Sequence, residues 1–130
     1  MAVVAEASGN GGGAVGAGPE PRTDDRVTDE STAIEASRVV KDSPGRVFGF
    51  AGYSGSASTQ WIQLHDATSL PVDGSVPKYS FKVVATSNFS FTLDEVDGDL
   101  FENGIVICNS STHATKTIGS ADTMFNIIYR

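Results

Sequence analysis

The chain of 130 residues has 16 acidic and nine basic side chains, a formal net charge of −7 and one cysteine. A chain of this length accommodates one domain, and a single cysteine excludes an intrachain disulfide. A net negative charge without a Lys/Arg cluster offers no binding surface for a phosphate backbone. No apolar stretch approaches the roughly 18 residues that a membrane helix needs. Neither nucleic acid nor a membrane is therefore expected as a partner.

The N-terminal part of the chain differs in composition from the rest. Residues 1–22 contain six glycines and two prolines but no aromatic residue, so they cannot bury enough apolar surface to offset the entropy of ordering them. Residues 23–35 are acidic and polar, and a short helix there is only weakly indicated. The sequence predicts a flexible Gly-rich arm with an acidic linker over 1–35 and a compact domain over 36–130. An arm of this kind would contact a partner through its few apolar anchors: Val3, Val4, Val15 and Val27.

From Ala36 onward, short apolar runs alternate with turn residues, a pattern typical of an all-β domain. About seven strands are indicated, near residues 37–41, 46–53, 60–66, 78–84, 88–93, 104–108 and 123–130. Their number and spacing predict an antiparallel β-sandwich or a jelly-roll-like variant, although the exact topology does not follow.

Three of these runs predict which side chains face the core. Ile62 and Leu64 should point inward, and the period-2 alternation places Phe89, Phe91 and Leu93 on one face. The continuously apolar run 105–108 predicts a central strand covered on both faces, in which Cys108 acts as a small buried hydrophobe. The final run should tie residues 123–130 into the sheet.

Two features could carry chemistry. Residues 94–102 hold five carboxylates, which could bind a cation, although a solvated turn with positive φ angles at Asp97-Gly98 is the simpler interpretation. His65-Asp66 could form a base with its orienting carboxylate, but no strained serine elbow or oxyanion hole is recognisable. His113 has no metal-ligating companions at a suitable spacing. The sequence therefore predicts no enzyme, no metal and no cofactor.

The aromatic residues Tyr53, Trp61 and Tyr79 leave two interpretations open. They could form a platform that binds glycans, or they could pack in the core or at a subunit interface, where aromatic residues are enriched. The sequence does not say which of them are exposed.

The stretch from Ser37 to Arg130 resembles a family of small virion structural proteins of tailed phages and prophages. The most specific matching block is Phe101-Glu102-Asn103-Gly104-Ile105-Val106-Ile107-Cys108-Asn109-Ser110-Ser111-Thr112, followed by Ala114-Thr115-Lys116-Thr117-Ile118-Gly119. Further matches are Ser37-Arg38-Val39-Val40-Lys41, Phe48-Gly49-Phe50-Ala51-Gly52-Tyr53, Trp61-Ile62-Gln63-Leu64-His65-Asp66, Leu70-Pro71-Val72-Asp73-Gly74 with Val76-Pro77, and Ser87-Asn88-Phe89-Ser90.

This resemblance implies a virion component that is made in the host cytoplasm and has no catalytic residues. The first expectation is a decoration (cement) protein that binds the outside of the capsid shell and stabilises it, with the major capsid protein as partner. The protein is expected to form a homo-oligomer, specifically a trimer. The alternative is a tail, baseplate or head-fibre component that binds host-surface glycans.

Overall fold

A computed structural model describes residues 25–130, which form nine β-strands and no helix. This described part of the chain therefore contains no helix able to span a membrane. The strands are β1 (Val27–Glu30), β2 (Ser37–Lys41), β3 (Gly45–Ser54), β4 (Gln60–His65), β5 (Tyr79–Val83), β6 (Ser87–Thr92), β7 (Asp99–Phe101), β8 (Ile105–Ser110) and β9 (Thr123–Tyr129).

The strands form two antiparallel sheets. The front sheet has the order β1-β9-β3-β6, with β7 pairing with the first residues of β3, and the back sheet has the order β2-β8-β4-β5. Each sheet thus interleaves strands that are distant in sequence. With β7 set aside as a short addition, this is the order of an eight-stranded jelly roll, in which two Greek keys wrap around one core. The predicted all-β, jelly-roll-like sandwich is confirmed.

The core lies between the two sheets. The front sheet contributes mostly aromatic side chains and the back sheet mostly aliphatic ones. The ring of Phe81 on β5 stacks on the ring of Phe91 on β6 with centroids 4.6 Å apart, and Phe50 on β3 lies 5.6 Å from Phe81. These contacts join the two sheets. The fully buried core side chains include Val47, Ile62, Leu64, Phe101, Ile105, Ile107 and Ile127.

The predicted facing of the side chains is confirmed. Ile62 and Leu64 are buried, and Phe89, Phe91 and Leu93 all belong to or pack against the core. β8 lies between β2 and β4, and every one of its residues is buried. β9 lies between β1 and β3, so the C-terminal strand is indeed tied into a sheet.

One strand, β1, lies within the segment 1–35 and was not among the predicted runs. It pairs with β9 from Val27, opposite Tyr129, to Glu30, opposite Asn126. Arg38 on β2 holds it from the other sheet, because its guanidinium donates to the carboxylate of Asp29 at 2.7 and 3.1 Å. Residues 27–30 therefore form part of the sandwich and not a helix.

Candidate interaction surfaces

The outer side of the front sheet is uncharged in the region where β3 lies between β6 and β9. From Gly49 to Ser54 of β3 and on the paired parts of β6 and β9, core-facing residues alternate with outward ones, and none of these outward ones is Asp, Glu, Lys or Arg. These nine positions are Gly49, Ala51, Tyr53, Asn88, Ser90, Thr92, Met124, Asn126 and Ile128. The surface they form is called the front face below. Arg46, nearer the start of β3, lies outside this region.

A groove of about 290 Å³ runs along the front face. Gly49 and Ala51 line it from β3, with Ser90 and Thr92 on one side and Asn126 and Ile128 on the other. Two charged residues from outside these strands, Arg26 and Glu95, also line it. A second depression of about 200 Å³, lined by residues such as Tyr53 and Met124, also includes Asn126. The two depressions therefore meet on β9.

Phe48 closes one end of this groove because of an irregularity in β3. The pairing with β9 shifts between Val47 and Gly49, which turns the Phe48 ring to the outer side, away from the core. Two guanidinium groups lie over the ring, that of Arg26 at 4.6 Å and that of Arg130 at 5.6 Å from its centroid. Such cation–π contacts fix the aromatic end of the groove.

The outer side of the back sheet has a different character, because a loop covers it. Gln63 is fully buried there although it points away from the core. Its amide nitrogen lies 3.0 Å from the carbonyl oxygen of Thr112 and 3.2 Å from those of His113 and Thr115. One side chain thus anchors the loop 111–118 onto β4.

His65 lies next to Gln63 in this covered layer and is 2% exposed. Its Nε2 lies 3.0 Å from Oε1 of Gln63, and because an amide oxygen only accepts, His65 must donate from Nε2. Burial first, and the nearby ammonium of Lys116 second, lower the pKa of His65. Lys116 is itself buried and forms an ion pair with the exposed carboxylate of Asp73.

The pairing of His65 with Asp66, which the sequence left as an unfavoured alternative, does not form. The carboxylate of Asp66 instead accepts from the backbone N–H groups of Asn103 at 2.8 Å and Glu102 at 3.2 Å, so it holds the turn before β8. Burial raises the pKa of Asp66, but these backbone donors outweigh it and the net pKa is lowered. The two neighbours thus have separate structural roles.

A histidine contact that the sequence did not indicate involves His113. Its Nδ1 lies 3.0 Å from the hydroxyl oxygen of Ser80 on β5, and its ring lies 5.7 Å from that of Trp61. Ser80 and His113 are 33 residues apart in sequence, so only the return of the loop 111–118 over the back sheet brings them together.

The three aromatic residues predicted for a glycan or subunit interface lie apart. Tyr53 is 40% exposed on the front face. Trp61 is half-buried on the outer side of the back sheet, beside His113. Tyr79 packs against the core and stacks on Phe81 at 6.0 Å. The structure therefore does not assemble them into one platform.

The acidic segment 94–102 contains a turn held by its own first carboxylate. Oδ1 of Asp94 accepts from the N–H groups of Val96 at 3.0 Å and Asp97 at 3.1 Å. The hydrogen bond from Asp97, followed by that from Val96, lowers the pKa of Asp94. Gly98 adopts a φ of 76°, so only the second residue of the predicted Asp97-Gly98 pair is left-handed. Within residues 25–130, no three His, Cys, Asp or Glu side chains are grouped as metal ligands would be.

Of the four valines predicted to contact a partner, Val3, Val4 and Val15 lie outside the described residues. Val27 is on β1 and is 48% exposed. Several other large apolar side chains are also exposed, notably Val72 at 80% and Val76 at 78%, both in the loop between β4 and β5.

Comparison with protein-family models, with curated proteins and with solved structures gives no match for this chain.

Proposed function

We propose that the chain is a phage virion structural protein that binds the outside of the capsid shell and stabilises it as a cement protein. The observation that carries the proposal is the jelly-roll strand order, in which residues 1–24 join the domain at β1, an edge strand of the front sheet. Viral capsid domains are among the proteins built on this fold. The fold supports the proposal by analogy, and the sequence resemblance over residues 37–130 supports it independently.

The domain provides the rigid body of such a protein. Both sheets are closed over one aromatic and aliphatic core, and Arg38 ties the edge strand β1 to the opposite sheet through Asp29. A segment attached to β1 is therefore held at a fixed point. Residues 1–24 then act as an arm that lies across neighbouring capsid subunits, contacting them through Val3, Val4 and Val15.

The loop between β4 and β5 is a candidate surface for contacts between copies of the chain and for contacts with the capsid. Val72 and Val76 are exposed there, with Leu70 at 38% exposure beside them. Three exposed apolar side chains within seven residues of one loop make that loop the candidate for protein–protein contact. In a trimer each weak contact is repeated, so that the avidity for the shell exceeds the affinity of one copy.

The test is the location and copy number of the protein in purified particles of the phage or prophage that encodes it. Quantitative mass spectrometry and a cryo-EM map should find copies distributed over the whole capsid, with arm density between capsid subunits. A count restricted to the tail or to one vertex would contradict the proposal and favour the glycan-binding alternative.

Removing residues 1–24 tests the arm without disturbing β1. We expect the shortened chain to remain folded, as shown by a single cooperative urea unfolding transition, but to be lost from particles. The matched control is the full-length chain with Val3, Val4 and Val15 replaced by serine, which keeps the length and the glycines and should lower occupancy. Full occupancy with the shortened chain would contradict the role of the arm.

A further inference from the structure

No other part of the described chain covers the front face, and its lack of charged residues is unusual for an uncovered sheet face. Across the whole chain 19% of residues are charged, so nine outward positions should include about two charged ones, yet they include none. Solvated sheet faces normally carry polar and charged residues. The front face instead combines hydroxyl and amide groups with small and apolar side chains but carries no charge, a composition that suits contact with another uncharged surface.

The size of the front face indicates the kind of occupant. Three strands spaced by about 4.8 Å, with a rise of about 3.3 Å per residue over six residues, give a face of about 14 Å by 20 Å, or about 280 Å². A stable dimer buries about 800 Å² on each partner. The face is therefore too small to hold a second copy alone, but its groove of about 290 Å³ suits a single extended segment.

The described chain begins at one end of this groove. Arg26 lines the groove, and the carboxylate of Asp25 lies 3.4 Å from the guanidinium of Arg130, which in turn lies over Phe48. Val15 stands ten residues before Asp25 and can reach about 35 Å from it when the chain is extended. That reach exceeds the length of the face.

We propose that residues 9–18 of the chain's own N-terminal segment dock in the groove of the front face in the free protein. Residues 1–18 contain a single charged side chain, Glu6, which matches the uncharged face. Their glycines let the backbone approach the groove beside Gly49 and Ala51, and Val15 supplies an apolar side chain for the space between Phe48 and Ile128. Because the segment is tethered, its effective concentration at the face is in the millimolar range, and a weak contact is sufficient.

This inference goes beyond the capsid role and does not depend on it, since it concerns the protein before it meets any partner. Where both hold, the same residues cannot lie in the groove and on the capsid at once. Attachment to the capsid then requires the segment to leave the front face.

The test is paramagnetic relaxation enhancement in the full-length chain. A nitroxide is attached to the variant Asn10→Cys; the native Cys108 is buried and does not compete for the reagent. We expect strong loss of amide signal at Ala51, Ser90 and Asn126, and none at Val39 on the outer side of the back sheet. Loss spread evenly over both sheets, or no loss, would overturn the proposal.

Two further measurements make the result specific to the groove. Ser90→Glu places a charge on an exposed position of the face and should restore the signals of Ala51 and Asn126, whereas Ala114→Glu, on the exposed loop over the back sheet, should not. A mixed sample contains two kinds of chain: spin-labelled chains without nitrogen-15, and nitrogen-15 chains without a spin label. The amide signals of the nitrogen-15 chains should show no loss. Loss in that mixture would mean that the segment docks on another copy, which would also overturn the proposal.

Discussion

Replacing Gln63 by leucine keeps the volume of the side chain but removes both of its polar roles. The Nε2–H of His65, 2% exposed, loses its acceptor, and a buried donor without a partner costs about 1–3 kcal/mol. The carbonyl oxygens of Thr112, His113 and Thr115 lose a shared donor, at a smaller cost because they lie in a loop that water can reach. We expect a loss of about 2–4 kcal/mol in the free energy of unfolding.

Urea unfolding at pH 7.5 measures this loss as a shift of the midpoint. With a slope of about 2 kcal/mol per molar urea, the middle of the usual range, the midpoint should fall by roughly 1–2 M. Asn88→Leu, which removes an exposed amide from β6, is the control and should change the free energy by no more than about 0.5 kcal/mol.

The double variant Gln63→Leu with His65→Phe distinguishes an unpaired donor from general damage to the packing. It removes both partners of the hydrogen bond, so it should recover part of the stability lost in Gln63→Leu. Losses that simply add, or a single variant as stable as the native chain, would refute the reasoning.

Three other predictions concern single side chains. Burial and the nearby Lys116 lower the pKa of His65, so below pH 6.5 the unfolded chain binds a proton that the folded chain does not. The free energy of unfolding should therefore be constant above about pH 6.5. As the pH decreases below 6.5, it should decrease by up to about 1.4 kcal/mol per pH unit. Urea titrations from pH 8 to 5 should show this fall, and an equal fall in His65→Gln would contradict the assignment. Burial raises the pKa of Cys108 to about 12, so iodoacetamide should modify the native chain only through rare openings, at roughly 10⁻³ of the rate in urea or less; comparable rates would show that the thiol is accessible. Gly52→Ala would place a methyl carbon 1.9 Å from the carbonyl oxygen of Met124 and should lower the free energy of unfolding by about 3 kcal/mol. Gly74→Ala faces open space at φ 95° and should lower it by only about 1 kcal/mol. Equal losses of stability in thermal unfolding would count against the close packing of β3 on β9.

The fold class and most strands could be predicted because their signals are local. Alternation at Phe89 and Phe91, and the unbroken apolar run from Ile105 to Cys108, depend only on neighbouring residues, and the structure places them as expected. β1 carried no such signal, since Val27–Glu30 contains one apolar residue. Its conformation comes from pairing with β9, about 100 residues away.

The candidate surfaces were harder to predict because they depend on which parts of the chain meet. Gln63 and His65 occupy outward positions of β4; the return of the loop 111–118 covers Gln63, and the loop between β4 and β5 also lies beside His65. The His65-Asp66 dipeptide suggested a catalytic pair, but neighbours in an extended chain point in opposite directions, and each found a different partner. The front face was not visible at all, because it requires the order of β9, β3 and β6 in the sheet.

The central place of β9 in the front sheet has a consequence for biosynthesis. β1 and β3 both pair with β9, yet β9 is the last of the nine strands to leave the ribosome. Until β9 emerges, β1 and β3 each present an unpaired edge, which attracts other chains. Pairing with β9 then closes loops of many residues, which slows folding. The front sheet can therefore form only after β9 has emerged, and the domain is most exposed to aggregation just before that point.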